Sequence, residues 1–391
     1  MKNIQEIKSS KVIVRVDYNV PIKNGRITDF TRIQKSLPTI QTLLQNNNKI
    51  AICSHLGRPD PNLPQDSEKN TKLSFANLID QISKNLNIEL KLISHYPSPD
   101  LHLDLKNLQK NQILLLENTR FYSEEKENNT IFTKQLAEPF DYFVFDAFGT
   151  AHRQHATTIG LTKFLPSTFG TLVQTEIQEL NLGLNNPQKP LTLFLGGAKI
   201  KTKIGIIETF LDTADYICIG GALANTFLYA VGYELGQSLI EQEETATAIK
   251  IINKAKTHHA NLVLPIDLTT KSGEHKSIID FQPNDSGLDI GPLTTARFSN
   301  LIKKSQTIIF NGPMGVYQDN LYSNGTESIL KEISKSKTTS ILGGGDTLDA
   351  IAKYAINPNS YTHVSTGGGA MLKYLEQNGD LPVLKAIQSQ S

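Results

Sequence analysis

Cysteine is scarce in this chain: there are two, Cys53 and Cys218. Each lies in an apolar run of strand character, Ile50-Ala51-Ile52-Cys53 and Tyr216-Ile217-Cys218-Ile219. That pattern reads as small buried thiols and argues against a disulfide framework or a cysteine metal site. No apolar run reaches the length needed to cross a membrane. The opening Met1-Lys2-Asn3-Ile4-Gln5-Glu6 lacks the apolar core of a secretory signal, so a cytoplasmic location is expected. An excess of one charge is missing as well. The 39 basic residues face 38 acidic ones, for a net charge of +1, which speaks against a nucleic-acid or membrane-surface binder. Internal repeats and low-complexity segments are absent. Arginine is the last shortage: there are seven, at positions 15, 26, 32, 58, 120, 153 and 297, which leaves 39 − 7 = 32 lysines. Where lysine is the default cation, each arginine raises the question of a planar, bidentate donor.

What is present suits a large α/β protein. The 391 residues suggest roughly two or three domains. In the first half, Lys11 to Asp17 is a β-branched strand that Pro21 stops. Thr31 to Gln45 carries Ile33, Leu37, Ile40 and Leu44 at helical spacing, with a kink expected at Pro38. Arg32 falls in that helix's first turn. Lys49 to Ser54 is a second strand, followed by His55-Leu56-Gly57-Arg58-Pro59 and a polar loop rich in Pro and Asp. Ser74 predicts an N-cap for a helix with Phe75, Leu78, Ile79, Ile82 and Leu86 on one face. Gln112 to Leu116 and Tyr142 to Phe145 are further strands. Alternating strands and helices imply a parallel sheet, and such sheets bind ligands at the carboxyl ends of their strands. Asp17, Asn19, His55, Arg58, Arg120 and Arg153 all fall just past strand ends, so they are expected to meet in space. Several arginines with a histidine suit a small ligand that carries both a carboxylate and a phosphate. Any one of them alone also reads as an ordinary surface ion pair.

Thr171 to Leu184 reads as a helix that ends at Asn185-Asn186-Pro187-Gln188-Lys189-Pro190, and looks like a stiff connector between domains. Beyond it the punctuation changes. Apolar runs end in Gly196-Gly197, Gly220-Gly221, Asn311-Gly312-Pro313, Gly343-Gly344-Gly345-Asp346-Thr347 and Ser365-Thr366-Gly367-Gly368-Gly369. The run Leu262 to Leu264 ends in Pro265-Ile266-Asp267. Helical patterns cover Ala222 to Ala230, Glu241 to Lys256, Gly325 to Lys335 and Leu348 to Ala352. A strand that breaks into glycines and opens a helix presents bare backbone N–H groups beside a positive helix end, a receptacle for phosphate. Asp346 stands where a magnesium ion bridging phosphates needs an oxygen ligand, and Thr347 can donate to a phosphate oxygen. The triplet is equally compatible with a plain helix N-cap after a tight turn. Lys199, Lys201 and Lys203 follow the first glycine pair and could reach phosphate, with Lys201 the one expected merely to be solvated. A nucleotide triphosphate fits this edge, yet neither G-x-x-x-x-G-K-[ST] nor a dinucleotide G-x-G-x-x-G is present. The mildly apolar tail Leu381 to Ile387 is expected to dock.

Seven blocks, in order along nearly the whole chain, resemble those of the phosphoglycerate kinase family. They are Arg15-Val16-Asp17-Tyr18-Asn19-Val20-Pro21, Ser54-His55-Leu56-Gly57-Arg58-Pro59, Asp146-Ala147-Phe148-Gly149-Thr150-Ala151-His152-Arg153, Gly196-Gly197-Ala198-Lys199, Asn311-Gly312-Pro313-Met314-Gly315-Val316, Gly343 to Thr347 and Ser365 to Gly369. The resemblance implies two doubly wound parallel-sheet domains facing across a cleft. The amino-terminal one, 1–170, would hold 3-phosphoglycerate through Asp17, Tyr18, Asn19, Arg32, His55, Leu56, Gly57, Arg58, Arg120 and Arg153. A hinge helix would span 171–190. The carboxy-terminal domain, 191–375, would hold Mg-ATP or Mg-ADP, and the tail from about 376 to 391 would return to the amino-terminal domain. Lys199 and Lys203 would contact phosphates, Gly344, Gly345, Asp346 and Thr347 would cradle them, and Asp346 would serve the metal. Gly220, Gly221, Leu239 and Gly291 would line the adenine site, with Asn311 and Gln318 also on the nucleotide. Phosphoryl transfer would need no general base, since the acceptor carboxylate is already ionised. Arg32, Lys199, Lys203, Gly344 and Gly368 would stabilise a loose transition state, and a hinge motion would bring the two ligands together. The family is usually monomeric.

Four positions depart from the family pattern. Gln318 stands in place of a glutamate, Phe145 in place of an asparagine, Thr202 in place of an aspartate and Lys373 in place of a glutamate. Phe145 puts local hydrogen bonding in question, Thr202 could still cap a helix, and Lys373 has no evident reason. Phe145 and Gln318 keep open a paralogue that binds nucleotide without turnover. A nicotinamide-dependent dehydrogenase is the other rival, and the missing dinucleotide fingerprint argues against it.

Overall fold

Apolar runs that end in arginine- or glycine-bearing turns form two parallel sheets in this computed structural model, which describes residues 3–60, 62–64 and 67–390. Met1 and Lys2 of the opening stretch, Pro61, Gln65 and Asp66 of the Pro- and Asp-rich loop, and Ser391 of the tail fall outside the described residues. The chain divides into two units. One runs to Ile177 and resumes at Asp380; the other is Gln178–Gly379.

In the first unit the strands are β1 (Lys11–Val16), the short hairpin β2 (Ile22–Lys23) and β3 (Arg26–Ile27), β4 (Lys49–Cys53), β5 (Glu89–Ile93), β6 (Gln112–Leu116), β7 (Tyr142–Asp146) and β8 (Ser167–Phe169). Six of them form one sheet in the order β5-β6-β4-β1-β7-β8, parallel throughout. The chain starts at the centre with β1, winds to one edge and returns to β7 on the other side. The reversal leaves a switch point between β1 and β7, where such sheets bind ligands. β1, β4 and β6 are buried on both faces, as their apolar runs require, whereas the edge strand β5 alternates exposed and half-buried positions. Val12, Val14, Ile50, Ile52 and Leu115 pack with Ile33, Ile40, Phe75 and Ile82 from the flanking helical segments. The Thr31–Gln45 helix runs unbroken through Pro38. Past Ser74 the expected single helix is two pieces: a 3-10 turn over Phe75–Asn77, capped by the Ser74 hydroxyl, and the helix Ile79–Leu86.

The second unit repeats the plan. Its strands are β9 (Leu191–Leu195), β10 (Tyr216–Ile219), β11 (Asn261–Val263), β12 (Asp267–Thr270), β13 (His275–Ser277), β14 (Gly287–Ile290), β15 (Thr307–Asn311), β16 (Thr339–Gly343) and β17 (His363–Ser365). The parallel sheet has the order β11-β10-β9-β15-β16-β17, which puts the switch point between β9 and β15. A separate antiparallel sheet, β13-β12-β14, was not expected from the sequence. The segment Glu241 to Lys256 is a 3-10 turn, Gln242–Glu244, followed by the helix Thr245–Ala255.

The helix Thr171–Leu184 spans the boundary between the units. The chain re-enters the first unit at Asp380, and its last helix, Pro382–Gln388, buries Val383, Leu384 and Ile387. The Gln390 amide carbonyl accepts the Ser167 N–H at 2.8 Å, and its NH₂ donates to the carbonyl of Thr162. Cys53 and Cys218 are free and buried, as expected. Among the described residues no helix is long and apolar enough to cross a membrane.

Candidate active site

The switch point of the first sheet gathers most of the arginines. β1 delivers Asp17, Tyr18 and Asn19, and the Ser54 hydroxyl, just past β4, accepts the Tyr18 N–H at 2.7 Å. Asp17 Oδ2 accepts from Arg32 Nη1 at 2.8 Å, and the Asn19 carbonyl accepts from the same nitrogen at 3.3 Å. The Asn19 amide oxygen takes the Gly57 N–H at 2.9 Å. Arg120, delivered by the turn after β6, donates to the Gly57 carbonyl. Asn118 braces both loops: its oxygen accepts the N–H groups of Leu56 and Arg120, and its NH₂ donates to the Leu56 carbonyl at 2.7 Å. His55 is the centre. Its Nε2 lies 3.2 Å from Arg153 Nη1 and its Nδ1 lies 3.2 Å from Arg15 Nη2. Two residues expected at the site turn their side chains away from it. Tyr18 is buried with its hydroxyl 2.9 Å from Ser36 Oγ, and Leu56 lies in the core cluster. Arg58 is exposed.

Like charges are crowded here. Burial holds His55 well below its ordinary pKa, and Arg15, Arg120, Arg153 and Arg32 push it further down. Arg120 is brought down to about 10, first by burial and then by Arg153, Arg15 and Arg58. Arg153 is lowered by burial, with Asp17 opposing and Arg15, Arg58 and Arg32 adding. An anion entering this cluster relieves repulsion that the protein alone does not.

The corresponding edge of the second sheet is a cavity of about 340 Å³, lined by Gly196, Gly197, Lys199, Lys203, Asn311 and Gly312 from β9 and β15, and by Gly344 to Thr347, Gly368 and Gly369. Gly344 has φ +107°, and a Cβ there would stand 2.9 Å from Asn311 Nδ2, so only glycine fits. Gly345, Gly368 and Gly369 have nothing within 4 Å of a Cβ position. Their backbone faces open space. Lys203 is buried and donates to Asn311 Oδ1. The Asn311 NH₂ in turn donates to the Gly343 carbonyl at 2.6 Å, and the Thr347 hydroxyl accepts the Gly312 N–H at 2.9 Å. Burial brings Lys203 down to about 8 against the pull of Asp346. Lys199 is exposed at the cavity, whereas Lys201 pairs with Glu244 at 3.0 Å on the surface. Gly221 packs against Gly197 and extends the same edge. Leu239, Gly291 and Gln318 do not line the cavity: Leu239 and Gln318 are exposed, and Gly291 opens the helix Pro292–Lys304.

Among the described residues no group of three or more His, Cys, Asp or Glu could hold a metal unaided. Asp346, exposed in the first turn of the helix Gly345–Lys353, offers one carboxylate at the cavity. That fits magnesium, which takes one or two carboxylates and fills its shell with phosphate oxygens and water.

The departures from the family pattern find local explanations. Phe145 is in the core beside Phe143, and its carbonyl accepts the Gly170 N–H at 2.9 Å, while the neighbouring Asp146 Oδ2 is buried without a hydrogen-bond partner. Thr202 does not cap a helix. Its hydroxyl donates to the Lys199 carbonyl at 2.9 Å, and the helix Ile204–Phe210 starts without a side-chain cap. Lys373 pairs with Glu376 three residues on, at 2.9 Å.

Sequence reasoning missed the support behind His55. Arg15 stands in the first of the seven blocks without a role there, and neither Glu125 nor Thr157 is marked by any motif. The available signal was Arg15 itself, a charge inside an otherwise apolar strand.

Two parallel sheets in one chain, one switch point crowded with arginines and the other lined by glycines, have the plan of a two-domain α/β phosphotransferase. Residues 1–378 match the family model described as phosphoglycerate kinase. The phosphoglycerate kinase of Finegoldia magna is 43% identical over 379 residues, covering 95% of this chain and 94% of its own. That of Thermosipho africanus is 41% identical over 394 residues, covering 98% and 96%. Among solved structures, phosphoglycerate kinase from Coxiella burnetii aligns with a TM-score of 0.86 at 38% identity, over 98% of this chain and 97% of its own. The Pyrococcus horikoshii enzyme aligns with a TM-score of 0.83 at 30% identity, over 97% and 96%. The chain belongs to the phosphoglycerate kinase family. It is a kinase that phosphorylates the carboxyl group of 3-phosphoglycerate, in glycolysis, with ATP and ADP as co-substrates. Nothing favours a nucleotide-binding relative without turnover.

Proposed function

We propose that the first unit binds 3-phosphoglycerate or 1,3-bisphosphoglycerate at the His55 cluster and the second binds ADP or ATP at the glycine-lined cavity. The observation that carries this reading is the crowding of Arg15, Arg32, Arg120 and Arg153 around one neutral histidine, each lowering its proton affinity. Such a cluster suits a small molecule that is anionic at both ends. Asp17 and Asn19 orient Arg32 and the Gly57 loop, and Asp17 accepts from substrate hydroxyl. Arg120 and Arg153 take the phosphate, with Arg58 at the rim. On the other unit, Lys203 and Lys199 meet the phosphates, and the amides of Gly344 to Thr347 cradle them. Leu239, Gly291, Gly220 and Gly221 border the base, and Gln318 meets the ribose. A magnesium ion held by Asp346 together with phosphate oxygens would neutralise part of the polyphosphate charge.

The acceptor carboxylate needs no deprotonation at neutral pH, so these residues align and stabilise and move no proton. Charge builds on the transferring group's outer oxygens in a loose transition state. Arg32, Lys203 and the backbone amides at Gly344 and Gly368 supply fixed positive ends for it. Donor and acceptor are held by different units, so transfer requires a motion that joins the two sites, and we assign it to the helix Thr171–Leu184. The enzyme acts as a cytoplasmic monomer without nucleic-acid or membrane partners. Purified protein with magnesium, ATP and 3-phosphoglycerate, coupled to detection of the acyl phosphate, tests the reading; no turnover above background would refute it.

A further inference from the structure

Behind His55 lie charged groups that the transfer itself does not use. Arg15 is 1% exposed. Its Nη1 donates to the hydroxyls of Thr119, at 3.2 Å, and Thr157, and lies 3.5 Å from Glu125 Oε1. Glu125 is fully buried. Its Oε2 accepts the Thr157 N–H at 2.9 Å, its Oε1 accepts the Thr157 hydroxyl at 2.7 Å, and His155 Nδ1 stands 3.7 Å away. Burial alone would raise this carboxyl; His155, Arg15 and Thr157 overrule it and hold it below its ordinary pKa. Arg15 is thus a cation fixed from one side, with Nη2 left to meet His55.

His55 faces guanidinium nitrogens at both ring nitrogens, each at 3.2 Å. A guanidinium can only donate, and a neutral imidazole has one lone pair and one N–H. Only one of the two arginines can therefore be hydrogen-bonded to the ring. Arg15 is locked by three oxygen partners, whereas Arg153 is only partly buried. Asp17 Oδ1 is 3.8 Å from Nδ1, too far to hold a proton there, and Asp17 Oδ2 is engaged by Arg32 at 2.8 Å. The lone pair belongs on Nδ1 and the proton on Nε2. That leaves Nε2–H and Arg153 facing each other as two donors.

We infer that the buried Arg15–Glu125 pair is a positioning device for the reaction: it fixes His55 as the Nε2–H tautomer, so that His55 and Arg153 together present two donors to one anionic oxygen of the substrate. Glu125 acts through Arg15, and Thr157 keeps both in register. This rests on the proposal that 3-phosphoglycerate binds at the His55 cluster.

Imidazole ¹⁵N correlation spectra of the ligand-free protein test it directly. His55 Nδ1 should resonate as a bare acceptor and Nε2 as N–H. A protonated Nδ1, or a mixture of tautomers, overturns the inference. Adding 3-phosphoglycerate should shift Nε2 and leave Nδ1 unprotonated. Absence of any shift at His55 would instead reject its place in the substrate site, so the two readings fail separately. In Glu125→Gln the shape remains and the charge is lost. KM for 3-phosphoglycerate should rise about tenfold, the scale of one charge-assisted contact, with kcat within about twofold and both tautomers visible. A folded Glu125→Gln with wild-type KM and a pure Nε2–H signal would overturn the role of Glu125. Thr157→Ser, which keeps the hydroxyl, should behave as wild type, and a KM rise there equal to that of Glu125→Gln would count against the network as drawn. Should Glu125→Gln fail to fold, the wild-type spectrum still decides the tautomer.

Discussion

The Thr171 N–H donates to the Thr39 hydroxyl at 2.7 Å, so the helix that spans the unit boundary is capped by a side chain from the Thr31–Gln45 helix. Asp146, at the end of β7, completes the cap by accepting the N–H groups of Leu172 and Val173 at 3.0 and 3.4 Å. Arg32 and Thr39 share one helix. The proposed substrate cluster and the start of the boundary-spanning helix are therefore tied to the same helix.

Asp146 gives the first expected outcome. Burial raises its carboxyl from 3.8 to about 7, against hydrogen bonds from Thr39, Val173 and Leu172. Between those values the native state holds a proton that the unfolded state has released. Its contribution to stability is whole below 3.8 and is lost as pH rises through 7. Wild type should lose on the order of 1–3 kcal/mol relative to Asp146→Asn between pH 4 and pH 8. Urea unfolding at several pH values measures this; parallel profiles for the two proteins would remove the argument.

Lys203 titrates with the opposite sense. It ionises near 8 in the native state, lowered by burial from 10.5, so above pH 8 the unfolded chain binds the extra proton. Native stability relative to Lys203→Met should climb as pH rises from about 8 to 10.5. For the same reason kcat/KM for nucleotide, which reports the free enzyme, should fall along an alkaline limb near pH 8. A flat kcat/KM profile through pH 9 would contradict the buried ammonium.

Arg32 separates binding from catalysis. Its guanidinium is held by Asp17 and Asn19 yet remains about a third exposed, free to meet the transferring group. Arg32→Ala should lower kcat about 10²–10³-fold, the range for one preorganised donor at developing charge. Loss of 3-phosphoglycerate affinity with kcat intact would reduce Arg32 to a binding residue.

Gln318 bears on nucleotide affinity. Its side chain is exposed, and its backbone carbonyl accepts from Lys353 Nζ at 2.9 Å. An amide offers one acceptor oxygen where a carboxylate offers two and a charge, a difference on the order of 1–2 kcal/mol. Gln318→Glu should lower the nucleotide KM about five- to tenfold with kcat little changed. An unchanged KM would mean the side chain does not touch the ribose.

Much of the fold was legible because its signals are local. The β-branched run at Lys11, the helical spacing from Thr31 to Gln45 and the glycine breaks after β9, β10, β15 and β16 each specify backbone shape within a few residues. The turns that carry Asp17, His55, Arg120 and Arg153 follow from strand ends and the rule for parallel sheets. The small sheet β13-β12-β14 escaped because its strands are three or four residues long and carry almost no period. That Thr202 caps no helix escapes the sequence for a related reason: what a surface side chain bonds to depends on neighbours that sequence spacing does not bring near.

Local pattern was enough for the strands of the two parallel sheets that end in arginine- or glycine-bearing turns, and for the residue types at those ends, since propensity, periodicity and glycine's conformational range act within one turn or one strand. Tertiary structure alone decided that Arg15 faces His55, that Glu125 lies behind it, and that Lys203 is buried while Lys201 is spent on Glu244. Those outcomes come from desolvation and from pairing between groups some 40 to 110 residues apart, and no local pattern encodes either.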